Sequence, residues 1–290
     1  MSTVAEPMST GRIRSVRPAW TRNLFWYGLL LLASIVTVLP FLWLLMTALK
    51  GPSDAVFGFP PQFLPREPTL ANFTRVWNQL PIWRFFVNSL FVAALTVTLN
   101  VTVSSLAAYP LAKMNFPGRE VIFYLLLATL IVPAELTFIP GYILAVQVFQ
   151  YYDTLWALIF PSVFSAFNIF LLRQAYKTVP NDLIDAARID GANELRIWWS
   201  VLTPTIRPSL ATAAVFTAVT SWNALLWPSL MLRTRELYTL PVGLMALRGM
   251  FTADFRLIAA GAVMVIIPIL IAFIFAQRYF VAGLSGAVKG

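Results

Sequence analysis

Two of the side chains that do most chemistry are missing from this chain: it contains no histidine and no cysteine. Thiolate nucleophiles, disulfides, imidazole metal ligands and the Ser/His and Cys/His dyads are excluded together. A G-x-x-x-x-G-K-[ST] loop, which would cradle a nucleotide's phosphates in backbone N–H groups, occurs nowhere. Carboxylate and amide chemistry remain. Carboxylates gather in one stretch, at Asp182, Asp185, Asp190 and Glu194, interleaved with Ala186, Ala187, Gly191 and Ala192. Small residues between charges suit docking, because a partner's backbone can approach closely while the charges supply polar contacts.

Elsewhere the polar residues are isolated in apolar surroundings. Glu135, between Pro133 and Pro140, is the one acid inside an apolar stretch. A carboxylate there is costly against lipid, so it is expected to face protein or a watery cavity. It then either contacts a solute or bonds across helices to backbone groups that the prolines release. Asn88, Asn168, Trp222 and Asn223 offer amides and an apolar ring face, which suit the two sides of a polyol. The same residue types also serve as helix–helix glue in membrane bundles.

The elements that position these groups follow from hydropathy. Hydrophobic residues make up 59% of the chain and charged ones 11%, against roughly 25% charged in soluble domains. Lipid is the simplest covering for so much apolar surface. Six apolar stretches, 24–49, 85–111, 121–142, 155–172, 209–232 and 257–276, are each near the length of a membrane-crossing helix. The expected class is therefore an all-α membrane protein with six transmembrane helices. The first stretch is too long for a signal-peptide core and lacks a small-residue cleavage site, so it is expected to be retained as an anchor.

Orientation comes from lysine and arginine. With the N-terminus inside, 13 of the 21 basic residues lie on the cytoplasmic side, including Arg12, Arg14, Arg17 and Arg22 before the first stretch. The others fall in two long outer segments, which weigh less in the positive-inside rule. This predicts cytoplasmic tails at 1–23 and 281–290 around a transmembrane domain at 24–280. The net charge of +9 is then topological, and no nucleic-acid partner is expected. Proline at 52, 60, 61, 65 and 68 predicts an irregular outer segment over 50–80.

The one long, helix-patterned inner segment runs over 179–208. Asn181 or Asp182 is a candidate N-cap, Gly191 a left-handed helix end, and 193–201 a second short helix, with Pro204 and Pro208 preventing its simple continuation. Two short helices at the inner face either dock a partner or rest on lipid headgroups through Trp198 and Trp199.

The order Asp185-Ala186-Ala187, Asp190-Gly191-Ala192, Leu202, Pro204, Pro208 closely resembles the loop by which permease subunits of ABC importers dock on their ATPases. Asp185 stands where that family usually has Glu. Asn88-Ser89-Leu90, Tyr109-Pro110-Leu111-Ala112, Ile139-Pro140, Ser221-Trp222-Asn223 and Gln277-Arg278-Tyr279-Phe280-Val281 resemble the carbohydrate-uptake branch, and within it the smaller six-span subunit of maltose-type systems. The resemblance implies the type I importer fold in a bacterial inner membrane. It also implies a homologous second permease subunit, two ATP-binding subunits and a periplasmic or lipid-anchored solute-binding protein. No cofactor is expected on this chain, since ATP and Mg belong to the partner ATPases. The outer loop over 239–254, with Pro241, Gly243, Leu244, Arg248 and Gly249, is expected to meet the binding protein. The competing accounts are an ion-coupled secondary transporter, for which only Glu135 is available and no repeat is visible, and a membrane enzyme or assembly subunit.

Overall fold

The computed structural model describes residues 19–250 and 254–287, and every regular element among them is a helix. Helices suit so apolar a chain because they satisfy backbone N–H and C=O groups within one segment. Two of them, α1 (Ala19–Ala48) and α3 (Ile82–Lys113), are long and apolar enough to cross a membrane.

The third and fourth apolar stretches are not the single helices expected from hydropathy. Helix α4 (Arg119–Thr129) ends at a break, and the chain turns by 96° into a 3₁₀ turn, α5 (Phe138–Ile143) and a π turn ending at Val148. Pro133 and Pro140 account for this, since each lacks an N–H and neither fits an uninterrupted helix. In the fourth stretch α6 (Trp156–Ile159) and its 3₁₀ extension meet α7 (Ala166–Lys177) at 43°. Pro161 lies in the extension, and Ser165 restarts the helix by accepting the Asn168 N–H at 3.2 Å. The fifth stretch divides into α11 (Arg207–Trp222) and α12 (Leu226–Met231). Helix α14 (Phe255–Ala287) closes the chain and continues through positions expected to be tail. Among the described residues, two long helices and two bent pairs meet the criteria for crossing.

Helix α3 is the axis of the bundle, with α7, α11 and α13 (Leu240–Met250) packed along it. At one end it belongs to a core of Tyr109, Leu172, Tyr176, Ile197 and Leu202. At the other end a second core gathers Phe85, Leu240, Leu247 and Leu257. Helix α1 packs on α14, yet its most apolar window buries none of its residues within this chain. Apolar surface of that extent requires lipid or another subunit to cover it.

The segment expected to be irregular is so only as far as Leu70, because α2 (Ala71–Gln79) follows in a stretch free of proline and glycine. The Asn72 side-chain amide ties that helix back to the chain after α1, donating to the carbonyls of Ala48 at 2.9 Å and Lys50 at 2.8 Å. Arg256 donates to the Gly51 carbonyl at 2.7 Å and pairs with Asp254 at 2.9 Å. Asp153 anchors the next loop: its Oδ1 accepts the backbone N–H groups of Arg233 and Thr234 at 2.8 and 2.9 Å, and its Oδ2 the Thr234 hydroxyl at 2.6 Å.

Gly243 shows how closely α13 approaches α3. A Cβ on it would stand 2.2 Å from the Phe85 ring, which has no free space in which to retreat. Gly243→Ala is therefore expected to lower stability by about 1–3 kcal/mol through overpacking, and Phe85→Leu in the same chain to recover part of that loss. Thermal unfolding in detergent checks both. Asp153 and Asp254 supply a pH test. Desolvation opposes ionisation of Asp153 and Asp254, but hydrogen bonds from Thr234 and Arg233 to the first, and from Arg256 to the second, hold both carboxyls below the usual range. A depressed native pKa adds stability above the unfolded pKa, and that stability is lost as pH falls through the native value. Melting temperature is thus expected to fall below about pH 4, with a shallower fall in Asp254→Asn.

Candidate functional site

The 179–208 segment folds as a compact hairpin of short helices. Helix α8 (Asp182–Ile189) ends at Gly191, whose φ of +77° lies in the left-handed region that glycine enters without strain. Asn193 caps α9 (Glu194–Arg196), its side-chain oxygen accepting the Arg196 N–H at 2.9 Å. A π turn over Ile197–Leu202 and α10 (Thr203–Thr205) lead to a break at Ile206 before α11. Pro204 lies just after the π turn, and the Thr203 hydroxyl takes the Trp198 carbonyl at 2.7 Å. Asn181 occupies the position before α8 but does not cap it. Its side-chain oxygen accepts instead from the Lys113 ammonium at 2.8 Å, a charge-assisted bond stronger than a neutral cap.

Three α3 side chains spaced by four residues, Ser105, Tyr109 and Lys113, hold this hairpin. Such spacing places them along one helix face. Ser105 Oγ accepts from Trp198 Nε1 at 2.9 Å and shares a hydrogen with the Tyr176 hydroxyl at 2.6 Å. The Tyr109 hydroxyl donates to Glu194 Oε2, while Glu194 Oε1 accepts from Arg188 Nη2 at 3.0 Å. Lys113 also donates to the Val179 carbonyl. Beside them the nearly fully buried Arg173 joins α7 to α3 and α4: it donates to the Leu111 carbonyl at 2.9 Å, pairs with Glu120 at 2.7 Å and lies 3.7 Å from the Phe123 ring centre.

The hairpin therefore has an anchored face and an open one. Trp198, Ile197 and Leu202 are buried, and Ala187 and Ala192 pack half-buried against the same core. Outward stand Asp185, Ala186, Asp190 and Gly191, together with Ile189 at 87% exposure and Leu195 at 67%. Asp185 makes a loose pair with Arg188 at 3.5 Å. Pro204 is half-buried at the hairpin's exit.

A second feature is a cavity of about 750 Å³ midway along α3, bounded by α7, α11, α12 and the bend after α4. Of the suspected path residues only Asn168 lines it. Its Nδ2 donates to Asn100 Oδ1 at 2.6 Å and to Thr217 Oγ1 at 2.8 Å, and Asn100 Nδ2 donates to the Ser162 carbonyl at 2.7 Å. Asn88 instead fastens the opposite loop, donating to the carbonyls of Glu236 at 2.8 Å and Tyr238 at 3.0 Å. Trp222 is buried edge-on against Phe86, with its Nε1 unpartnered. The Asn223 amide returns to the Val219 carbonyl at 3.0 Å and stays exposed. Glu135 sits exposed in the 3₁₀ turn at the 96° bend rather than inside a continuous helix. Asn100, Thr96 and Thr217 escaped the sequence reading. Thr96 and Asn100 lie one helical turn apart, but Thr98, Thr102, Ser104 and Ser105 in the same stretch leave nothing local to single them out.

The suspected binding-protein contacts lie in α13, where Pro241 is half-buried, Gly243 is buried against Phe85, and Leu244 packs half-buried on the second core. The side chains of Arg248 and Gly249 lie outside the described residues, as does the backbone of 251–253.

Crossing helices, a polar hairpin with an open face at one end and a cavity between the helices are the parts of a solute permease. A model of the binding-protein-dependent transport system inner membrane component matches residues 100–285. The arabinooligosaccharide transport system permease of Halalkalibacterium halodurans is 36% identical over 260 residues, covering 89% of this chain and 93% of that one. The sn-glycerol-3-phosphate transport system permease of Escherichia coli K12 is 31% identical over 276 residues, covering 92% and 97%. A chain in the crystal structure of a bacterial ABC transporter involved in the import of the acidic polysaccharide alginate superposes with a TM-score of 0.77 at 25% identity, covering 95% of this chain and 100% of that one. The chain belongs to the family of binding-protein-dependent transport system inner membrane components.

The bond from Tyr109 to Glu194 links α3 to the base of the outward face, and it is charge-assisted. Removing it in Tyr109→Phe is expected to cost the hairpin about 1–2 kcal/mol of local stability. Amide hydrogen exchange should then speed up roughly five- to thirtyfold over 188–197 while α3 and α7 keep their protection.

Proposed function

We propose that this chain is one of two homologous permease subunits in a binding-protein-dependent ABC importer for a sugar or sugar-like solute. The carbohydrate class is supported by the arabinooligosaccharide, glycerol-3-phosphate and alginate systems to which the chain is similar. In this reading it is a multi-pass protein of the bacterial inner membrane with both termini cytoplasmic. It hydrolyses nothing itself: two ATP-binding subunits hold ATP and Mg, and a periplasmic or lipid-anchored protein delivers the solute at the opposite end.

The observation that carries this reading is the hairpin's two-sidedness. Ser105, Tyr109 and Lys113 lock one face to α3, and the other presents Ile189, Leu195, Asp185 and Asp190, exposed among the described residues. Exposed apolar residues beside small and acidic ones suit a helix-in-groove partner. A hairpin clamped to α3 moves with it, so closure of the ATPases on ATP is carried to the cavity and turns its access from outside to inside.

The complex purified through this chain is expected to contain an ATPase whose turnover rises when solute-loaded binding protein is added. Ile189→Asp should reduce ATPase co-purification by about tenfold or more, since a charge there meets a desolvated groove. Purification of the wild-type chain alone and folded, with solute movement down an ion gradient, would sink the importer reading.

A further inference from the structure

The loop that follows α1 is built inside out. Its two charged residues nearest the helix, Lys50 and Asp54, are buried. The Lys50 ammonium donates to the Ala55 carbonyl at 2.9 Å and lies 5.2 Å from the centre of the Trp43 ring. The Asp54 carboxylate accepts the N–H groups of Gly51 at 3.0 Å and Arg66 at 3.2 Å, which ties the two ends of the loop together. Between those ends, residues 55–65 carry no charge. Phe57 and Leu64 stand outward at 75% and 72% exposure, and Phe59 is fully exposed. Burying charge while presenting phenylalanine reverses what a loop in water does, so an apolar tip on a tied base calls for a covering.

The length of α1 sets the depth of this tip. Its apolar stretch runs over Leu24–Ala48, and the most apolar window is unburied within the chain. Trp43 stands 19 residues beyond Leu24. That is about 29 Å along the helix, at the far edge of a hydrocarbon core about 30 Å thick. Phe63, itself exposed, packs edge-on against Trp43 with ring centres 4.9 Å apart. Phe57 packs edge-on against Phe255, at the start of α14, with ring centres 4.7 Å apart. Both limbs of the loop are thus pinned to helix ends at the level of the headgroup layer, where aromatic side chains gather. Pro60, Pro61 and Pro65 bring no N–H to be stripped of water there. A protein partner would normally be met with several hydrogen bonds. The tip offers one polar side chain, Gln62, and its amide oxygen is turned inward, closed off from solvent.

We infer that the loop over 55–65 is a lipid anchor, whose Phe57, Phe59 and Leu64 enter the interfacial layer of the phospholipid leaflet at the end of the bundle opposite the 179–208 hairpin. The inference goes beyond the importer reading and asks only that α1 cross a bilayer. What the tip binds is the boundary between headgroups and acyl chains, not a particular headgroup, because it has no charge with which to select one. Its base is tied by Asp54, and Arg256 donates to the Gly51 carbonyl at 2.7 Å, so the loop moves with the ends of α1 and α14. Anchored in the interface, it fixes the height and tilt of that helix pair in the membrane.

The absence of cysteine gives a silent background for a single reporter. Phe59→Cys is labelled with the fluorophore NBD, and the chain, with the subunits that co-purify with it, is placed in phosphatidylcholine nanodiscs. Lipid carrying a doxyl group near the head of its acyl chain probes the interfacial layer, and iodide probes the water. Doxyl lipid is expected to quench this label about twofold or more above a label on Ser53→Cys, exposed at the loop's base, with iodide reversing the order. Adding phosphatidylglycerol or raising salt should leave the ratio unchanged, since the tip is uncharged. Described residues cover none of the Phe59 surface, so its replacement should not move the melting temperature in detergent. Leu64→Cys reports from the other limb and carries the test if the first variant fails to assemble. A label reached by iodide as freely as the one at Ser53 stands in water and overturns the inference. So does a label that neither quencher reaches, which is covered by protein. Contact with doxyl lipid that disappears at high salt overturns it as well, because charge and not apolar insertion then holds the loop.

Discussion

The structure depends on how one long apolar helix disposes of its polar groups. Helix α3 carries Ser89, Thr96, Asn100, Ser105, Tyr109 and Lys113, and each of the bonded ones reaches a different part of the chain. Ser89 accepts the Leu240 N–H at 2.8 Å and sets the start of α13. Asn100 joins α7 and α11 at mid-height, and the last three hold the hairpin. In apolar surroundings a hydrogen-bonding group without a partner is expensive, so these bonds specify which elements sit against α3, and at what height. Apolar packing between the helices is less particular and follows that arrangement.

Proline sets the second constraint. Helices α1, α3 and α14 carry Pro40, Pro110 and Pro268 without a break, but at Pro133, Pro161 and Pro204 a missing N–H coincides with an interruption that shapes the cavity or the hairpin. The 96° bend after α4 makes one wall of the cavity, and the bend between α6 and α7 places Ser162 and Asn168 on either side of Asn100. Straight helices would have packed this space shut. Pro204 interrupts the hairpin's exit in the same way, leaving a π turn that keeps Trp198 pointed at Ser105.

These two constraints connect the hairpin to the cavity. Asn100 and Tyr109 stand nine residues apart on one continuous helix, so about 13 Å of rigid rod separates the amide network from the hairpin clamp. Helix α3 is unbroken between them, with Pro110 one residue beyond Tyr109. In the proposed importer, α3 would be the link between the hairpin and the cavity.

Local order was largely legible in the sequence. The apolar stretches, the helix over 182–189, the left-handed glycine at 191 and the proline break near 204 all follow from neighbours within a few residues, where backbone sterics and propensity decide. The acidic and small residues of the docking segment, with its family order, were readable for the same reason. Tertiary structure alone decided which amides matter. Asn88, Asn168 and Asn223 have the same side chain, yet one fastens a loop, one joins two helices beside the cavity and one bonds back to its own helix, because their partners lie 148, 68 and 4 residues away. The pairing of Tyr109 with Glu194, 85 residues apart, carries no local signature either. Hydropathy reports how much of a segment avoids water. Which side of it faces which neighbour is settled only when the helices pack.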